Sequence, residues 1–178
     1  MEKKSLRLSK VYRLLEPGPV VLLTTCHKNV PNVMTMSWLL PLEFEPPLVG
    51  CVVSDRNHSF KALMATRECV INIPTVKLAK QVVGCGNTSG RRVDKFKRFH
   101  LDTDSASSIR APLIRKCFAN LECRVIDTKL VKSYNFFVLQ VLKGWIDRSE
   151  KRPRTIHHMG LGEFMVAGRK IKLRSKMK

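Results

Sequence analysis

The chain has 178 residues, of which 44% are hydrophobic and 26% are charged. This length and balance exclude an intrinsically disordered chain and suffice for one domain, residues 1–178, with a core and a small-molecule cavity. Lysine and arginine outnumber aspartate and glutamate by 33 to 14, so the formal net charge is +19. Such a charge attracts anions, from phosphorylated cofactors to nucleic acid and acidic membrane surfaces.

The six cysteines form no C-x-x-C pair, and Cys51, Cys69 and Cys123 lie within apolar, strand-like runs. This pattern predicts free, buried thiols in a reducing cytosol and no zinc site. No apolar run approaches the roughly 18 residues that a membrane span needs. The basic start MEKKSLRLSK lacks the features of a signal peptide. We therefore expect a cytoplasmic protein without a metal and without a membrane segment.

The first half of the chain alternates between strand and helix patterns. The run VVLLTTC (20–26) is rich in β-branched residues, and with the turn pair KN it predicts a hairpin over residues 20–40. A third strand is predicted over 47–54, a helix with apolar residues at helical spacing over 58–67, and a further strand over 68–74.

The second half begins with a predicted helix over 75–84, from a Thr75 cap to a stop at Gly84. A Gly/Ser/Asn loop over 85–96 then leads into a short basic helix. Strands are predicted within 111–131, over 133–146, and within 162–173, the last with a turn at Gly168. His157 and His158 are predicted in a loop, and residues 169–178 form a basic tail.

These elements predict a mainly β protein with short helices, in which the strands form a β-barrel. A doubly wound parallel sheet needs a helix between most strands, and this chain lacks that alternation. The segment GCGNTSG (84–90) also has the wrong last spacing for the G-x-G-x-x-G dinucleotide fingerprint.

Polar residues interrupt the hairpin and close the next strand. Alternation places Thr35 and Ser37 on one side of their strand, with Met34, Met36 and Trp38 on the other. After the third strand, the polar run 54–59 precedes a helix, and a helix start together with Arg56 suits a phosphate. Cross-strand pairing and ordinary helix capping also explain these residues, so composition and spacing leave both interpretations open.

Five segments occur in an order and spacing that resemble the flavin reductase-like family, the FMN-binding split barrels of flavoredoxin type. They are PNVMTMSW (31–38), EPPLVGCVVS (45–54), ECVINI (68–73), SGRRVDKF (89–96) and HHMGLGEFMVAGR (157–169). The resemblance implies a Greek-key split barrel, a homodimer, and non-covalent FMN at the subunit interface. It also implies NADH or NADPH as electron donor, with hydride accepted at flavin N5.

The resemblance also implies which residues contact the flavin. Thr35 and Ser37 would lie near flavin N5 and O4, and no other catalytic group is expected. The expected cofactor-binding residues are Asn32, Thr35, Met36, Ser37 and Trp38 at the ring, Ser54, Asp55, Arg56 and Ser59 at the phosphate, and Asn87, Thr88, Ser89, Gly90 and Lys95 in a closing loop. The family often has threonine in place of Ser59, and the tail of this chain is unusually basic.

Three alternatives remain open within the flavin-binding class, and one lies outside it. The flavin is either a diffusible substrate, as in a flavin reductase, or a fixed group, as in an electron carrier with a redox partner protein. A family member that binds flavin without turnover is a third possibility. Outside this class, the charge of +19 suggests a nucleic-acid-binding barrel, although an aromatic fraction of 7% disfavours a base-stacking surface.

Overall fold

The computed structural model describes residues 18–174. Within this range it contains eleven strands and four α-helices, with one 3-10 turn at Val76–Leu78. The strands are β1 (Val21–His27), β2 (Val30–Met36), β3 (Leu39–Glu43), β4 (Leu48–Val52), β5 (Glu68–Ile73), β6 (Thr103–Asp104), β7 (Leu113–Ile114), β8 (Ala119–Asp127), β9 (Phe136–Ile146), β10 (Ile156–Gly160) and β11 (Glu163–Val166). The helices are α1 (His58–Thr66), α2 (Ala79–Asn87), α3 (Lys95–Arg98) and α4 (Val131–Tyr134).

Seven strands form one sheet in the order β2-β1-β5-β8-β9-β4-β3. All neighbours in this sheet are antiparallel, and β2 and β3 are its two edge strands. The chain leaves β4 through α1 and enters β5 on the other side of β8 and β9. This architecture confirms the predicted mainly β fold with short helices. No helix within residues 18–174 is long and apolar enough to cross a membrane.

Strand β1 is buried on both of its faces. Val21 and Leu23 point into a core that contains Leu63 of α1, whereas Val20 and Leu22, on the opposite face, pack in a second core that contains Val82 of α2. Because both faces are covered, the run VVLL carries no polar alternation. The second core attaches α2 to the sheet next to β2.

The predicted hairpin is confirmed only as far as Met36. Lys28 and Asn29 have φ angles of 50° and 61°, as the tight turn of a twisted two-residue hairpin requires. Residues 37–38 then leave the strand, and Leu39–Glu43 pairs with β4 at the other end of the sheet. The apolar stretch over residues 30–43 therefore forms both edge strands of the sheet, β2 and β3.

The predicted stop at Gly84 is wrong, and so is the predicted loop start at residue 85. The helix begins as a 3-10 turn without a side-chain hydrogen bond from Thr75, and α2 continues to Asn87. A Cβ atom on Gly84 would lie 2.4 Å from the Phe99 ring. Gly84 is thus required by the close packing of Phe99 against α2, a contact that local sequence does not reveal.

His157 and His158 lie in β10 and not in a loop, because β10 pairs with β11. The predicted strand over 133–146 begins only at Phe136, since Val131–Tyr134 forms α4. Gly168 follows the end of β11, and residues 169–174 carry no regular structure. The remainder of the basic tail, residues 175–178, lies outside the described residues.

The prediction of free thiols is confirmed. All six cysteines are unpaired, and Cys51, Cys69 and Cys123 are fully buried within strands. Burial raises the pKa of the Cys51 thiol to about 12. This thiol therefore behaves as a small hydrophobic side chain.

Candidate functional site

The candidate site follows the open edge of β2. The Val33 carbonyl oxygen accepts a hydrogen bond from Lys95 Nζ at 2.8 Å, so this residue points its backbone groups away from β1. Because alternate residues of an edge strand share that direction, the N–H and C=O of Thr35 also face the open edge. The side chain of Met34 packs on the α1 side, and that of Thr35 points to α2. The edge therefore presents side chains from both faces of the sheet.

A cavity of about 300 Å³, here called the anion cavity, lies where β2, the start of α1 and the end of α2 meet. Its floor contains the buried side chains of Asn32 and Ser59, and the Asn32 amide donates a hydrogen bond to Ser59 Oγ at 2.7 Å. The cavity is lined by Asn32, Met34, Thr35, Arg56, Asn57, His58, Ser59, Cys85, Gly86, Asn87, Thr88, Ser89, Gly90 and Lys95.

The start of α1 gives this cavity a positive potential. Asn57 occupies the N-cap position, but its side chain makes no capping hydrogen bond. The helix start therefore keeps its partial positive charge next to the exposed Arg56. Limited desolvation, followed by the positive charges of Arg91, Lys95 and Lys61, lowers the pKa of His58 below its ordinary value. Three cations, Arg91, Lys95 and Lys61, therefore lie close enough to the His58 ring to disfavour its protonated form.

Lys95 is a buried cation, with 5% of its surface exposed. Its ammonium group donates to the carbonyl oxygens of Val33 and Cys85, both at 2.8 Å. Within the described part of the chain it forms no ion pair, and burial lowers its pKa. Lys95 therefore binds one carbonyl group in the last turn of α2 and one in β2, ties the two elements together, and leaves its charge uncompensated beside the anion cavity.

The loop over 88–94 closes one side of the anion cavity. A Cβ atom on Gly90 would lie 2.0 Å from Asn32 Oδ1 and 3.0 Å from the His58 ring. A larger residue there would require the loop or the Asn32 side chain to move. The N–H of Arg91 donates to Ser89 Oγ at 3.3 Å, which fixes the turn beside this glycine.

A second cavity, here called the apolar cavity, lies further along β2 and has a volume of about 360 Å³. The hairpin of β10 and β11 covers it through His158 and Phe164, whose rings lie 5.3 Å apart. The Thr35 hydroxyl donates to the Val82 carbonyl at 2.5 Å and so attaches this part of β2 to α2. The cavity is lined by Val20, Thr35, Met36, Ser37, Val82, Val83, Gly86, Asn87, His158, Gly162 and Phe164.

The two cavities adjoin each other and share Thr35, Gly86 and Asn87. Gly86 has no side chain at this junction, and a Cβ atom there would lie 3.5 Å from Thr35. The arrangement can hold an elongated molecule that is anionic at one end and apolar and flat at the other. Asn32 lies in β2 and Ser37 directly follows this strand, so roughly 16 Å of extended chain separates the two residues.

The structure brings together most of the residues predicted for the site. The anion cavity collects Asn32, Thr35, Arg56, Ser59, Asn87, Thr88, Ser89, Gly90 and Lys95, and the apolar cavity collects Thr35, Met36, Ser37 and Asn87.

Trp38, Ser54 and Asp55 line neither cavity. Trp38 follows the end of β2 and is 58% exposed. Ser54 Oγ accepts a hydrogen bond from the Arg56 N–H and donates one to the Asp55 carboxylate, so both residues stabilise the turn before α1.

Sequence reasoning missed several residues that line the cavities. His58 was within the polar run 54–59, and its titratable ring was the signal that could have marked it. Gly86 and Val82 belong to α2, and only the packing of α2 on β2 brings them to the site. Among the described residues no lysine or arginine lines the apolar cavity, whereas Arg56 and Lys95 line the anion cavity.

This chain is similar in sequence to a known protein family and to an uncharacterized protein. A family model described as "Flavin reductase like domain" matches residues 13–162. An uncharacterized protein of Archaeoglobus fulgidus is 33% identical over 112 residues, and the alignment covers 63% of this chain and 63% of that protein. The chain thus spans less than two thirds of the length of this relative.

Solved structures show the same fold. An FMN-binding domain of a flavin reductase-like enzyme from Shewanella baltica matches with a TM-score of 0.83 and 24% identity, covering 96% of this chain and 97% of that one. The flavoredoxin of Desulfovibrio vulgaris matches with a TM-score of 0.86 and 18% identity, covering 99% and 98%. At these identities the likeness establishes the split-barrel fold.

Proposed function

This chain belongs to the flavin reductase-like family, and we propose that it is an FMN-dependent oxidoreductase that takes electrons from NADH or NADPH. The observation that carries the proposal is the pair of adjoining cavities along β2, one surrounded by cations and one largely apolar. FMN has a phosphate at one end and a flat heteroaromatic ring at the other. The two cavities match these ends in charge, in polarity and in order along the strand.

The phosphate would lie in the anion cavity. The backbone N–H groups at the start of α1 point toward such a ligand, and Arg56 adds a guanidinium group that can bind two phosphate oxygens. The Ser59 oxygen already accepts from Asn32, so its own proton remains available for donation. The buried charge of Lys95 adds attraction without a direct contact.

The ring would lie in the apolar cavity, where bound FMN supplies the redox chemistry through hydride acceptance at N5. The Thr35 hydroxyl is committed to Val82, so the donor that Thr35 offers to the ring edge is its backbone N–H. Ser37 lines the same cavity. Val82 and Phe164 line the same cavity and would cover the apolar part of the ring, and the protein's part is therefore to bind, orient and shield.

The direct test is an absorption spectrum of the purified protein, followed by anaerobic addition of NADH or NADPH. We expect flavin bands that bleach on addition of the donor. A colourless preparation that fails to bind added FMN would contradict the proposal. If the preparation binds FMN but neither donor bleaches the flavin bands, the protein is instead a family member that binds flavin without turnover.

Replacing Arg56 tests the assignment of the phosphate end. We expect Arg56→Ala to raise the Kd for FMN about tenfold, because a charge-assisted hydrogen bond is lost. Riboflavin, which lacks the phosphate, should bind both proteins equally. Arg124→Ala removes an exposed arginine on β8 and serves as the matched control. Equal FMN affinity in the wild type and Arg56→Ala would refute the assignment.

Flavin release separates the reductase from the electron carrier. If the flavin is a diffusible substrate, filtration during NADH or NADPH oxidation should recover reduced flavin in the filtrate. If it is a fixed group, the flavin should remain with the protein, and the electrons should pass to a redox partner protein. Either outcome is consistent with the proposed oxidoreductase activity.

We also propose that the protein is a homodimer. The edge strand β3 and its flanks expose large apolar side chains, including Trp38 at 58%, Leu40 at 48% and Phe44 at 85%. An exposed, apolar edge strand is an association surface. In a sedimentation experiment we expect the wild type to behave as a dimer. The double variant Leu40→Ser/Phe44→Ser should dissociate into monomers. The control Tyr134→Ser, which alters an exposed aromatic residue on α4, should remain dimeric. A wild-type monomer at micromolar concentration would refute the proposal.

A further inference from the structure

A third cavity, of about 660 Å³, lies at the base of the β10–β11 hairpin and is here called the basic pocket. It is lined by Arg152, Pro153, Arg154, Ala167, Gly168, Arg169 and Lys170. Four of these seven residues are cations, and none is acidic. A concave site of this size with several guanidinium groups is suited to a phosphorylated ligand with more than one negative charge.

The cations of the basic pocket have no acidic partners in the described chain. No ion pair within residues 18–174 includes any of the four, although Lys77 and Glu150 pair nearby. All four side chains are exposed, so they repel each other through solvent and are free to bind a ligand. Their positive charge is therefore balanced by solution ions or by a bound anion.

The hairpin places the basic pocket at a defined distance from the apolar cavity. His158 pairs with Phe164 at the apolar cavity, and the ladder continues through Ile156 and Val166 to the hydrogen bond from the Ala167 N–H to the Thr155 carbonyl. Arg154 is four residues from His158, which corresponds to about 13 Å along the strand. A nicotinamide dinucleotide extended along the hairpin is long enough to reach from the apolar cavity to the basic pocket.

Another basic groove lies at the opposite end of the site. It has a volume of about 900 Å³, adjoins the anion cavity through Asn32, Gly90 and Lys95, and contains Arg91 and Arg110. This groove extends beyond the phosphate end, whereas the basic pocket belongs to the hairpin that covers the apolar cavity. The groove shares no lining residue with the apolar cavity, so a donor that reacts at the ring would have to extend past the whole anion cavity to place its phosphates there.

We infer that the basic pocket binds the 2′-phosphate and pyrophosphate of NADPH and that the protein uses NADPH in preference to NADH. The inference rests on the proposed function, because it assigns the donor of that reaction. NADPH gives up a hydride, carrying two electrons and one proton, to the flavin and leaves as NADP⁺. Arginine is the residue that accommodates a 2′-phosphate in dinucleotide sites.

Binding of adenosine phosphates to the flavin-loaded protein tests the inference without turnover. We expect 2′,5′-ADP to bind about tenfold more tightly than 5′-AMP in titration calorimetry, because it carries the additional phosphate. Arg154→Ser/Arg169→Ser should remove this difference and leave FMN content unchanged. Arg124→Ser is the control and should retain the difference. Equal binding of the two nucleotides by the wild type would overturn the inference.

A single-stranded 20-mer oligonucleotide provides a competing ligand. If the oligonucleotide displaces 2′,5′-ADP and the Arg154→Ser/Arg169→Ser variant no longer binds it, the pocket is a nucleic-acid surface and the inference is overturned. If 2′,5′-ADP retains its affinity in the presence of equimolar oligonucleotide, the assignment to the dinucleotide is supported.

Steady-state kinetics distinguish the failure of this inference from failure of the proposed function. We expect kcat/KM for NADPH to exceed that for NADH about tenfold, and the double variant to bring the ratio close to one through the KM for NADPH. If NADH reduces the protein as well as NADPH does, the inference fails and the proposed function stands. If neither donor reduces the FMN-loaded protein, or if FMN is not bound, both fail.

Discussion

At the scale of a single residue, the pKa of the His58 imidazole depends on the positive charges around the anion cavity. His58 is the first residue of α1, and desolvation together with Arg91, Lys95 and Lys61 lowers its pKa. Nearby cations disfavour the protonated imidazole, and a bound dianion would favour it. The same ring therefore has a lower pKa without phosphate and a higher pKa with phosphate, so binding takes up a proton.

This linkage predicts a pH dependence of FMN affinity. The contribution of His58 is fully present below its pKa in the free protein, which is below 6.5, and is lost as pH rises through its pKa in the complex. We expect wild-type affinity relative to His58→Gln to fall about two- to fivefold over this range. The Kd of each protein for FMN is measured by fluorescence between pH 5.5 and 8.5. Titration of the FMN phosphate affects both proteins equally, so it does not change the ratio of the two Kd values. A ratio that is constant with pH would contradict the argument.

Helix α2 shows how one element combines a packing role with a binding role. Its Gly84 faces Phe99, its Gly86 faces Thr35 at the junction of the two cavities, and its Cys85 carbonyl accepts a hydrogen bond from Lys95. The two glycines are two residues apart but have different neighbours. They therefore allow stability and flavin binding to be tested separately.

We expect Gly84→Ala to lower the free energy of unfolding by about 1–3 kcal/mol, because the new methyl group overlaps the Phe99 ring. Gly86→Ala places its methyl group at an ordinary contact distance and should retain or gain about 0.5–1 kcal/mol through better helix propensity. Urea unfolding measures both. Flavin affinity should instead fall in Gly86→Ala, because its methyl group narrows the junction. Wild-type stability in Gly84→Ala would show that the packing of Phe99 is not restrictive.

The charge of the whole molecule acts on association more than on the fold. A net charge of +19 attracts anionic ligands over distances comparable to the Debye length, about 10 Å at 0.1 M salt. Both FMN and the proposed nicotinamide donor are anions. The basic surface can therefore raise their association rates without base stacking or a nucleic-acid partner.

Stopped-flow binding at increasing salt tests this effect. We expect the association rate constant of FMN to fall several-fold between 20 and 500 mM NaCl, as screening shortens the reach of the field. Riboflavin is uncharged and provides the control, so its rate should change little. Parallel salt dependence of the two flavins would show that the net charge does not steer the cofactor.

Much of the element order could be predicted because it depends on neighbouring residues. The β-branched run of β1, the KN turn and the helical spacing after His58 are local signals, and the structure contains each of these elements. The polar run before α1 likewise indicated an anion site, and Arg56 and Ser59 do line one cavity. The expected roles of Trp38, Ser54 and Asp55 find no support in this geometry, because the strand ends before Trp38 and the other two stabilise a turn.

The amino-acid sequence alone determined most of the strand and helix types, the excess of positive charge and the family resemblance, because each depends on residue identity or on short-range spacing. Only the tertiary structure decided that Gly84 lies inside a helix, that His158 is in a strand over the apolar cavity, and that Lys95 binds two carbonyl groups. These outcomes depend on contacts between segments far apart in the chain. Such contacts form when edge strand β2, helix α2 and the last hairpin pack together, and local sequence patterns do not predict them.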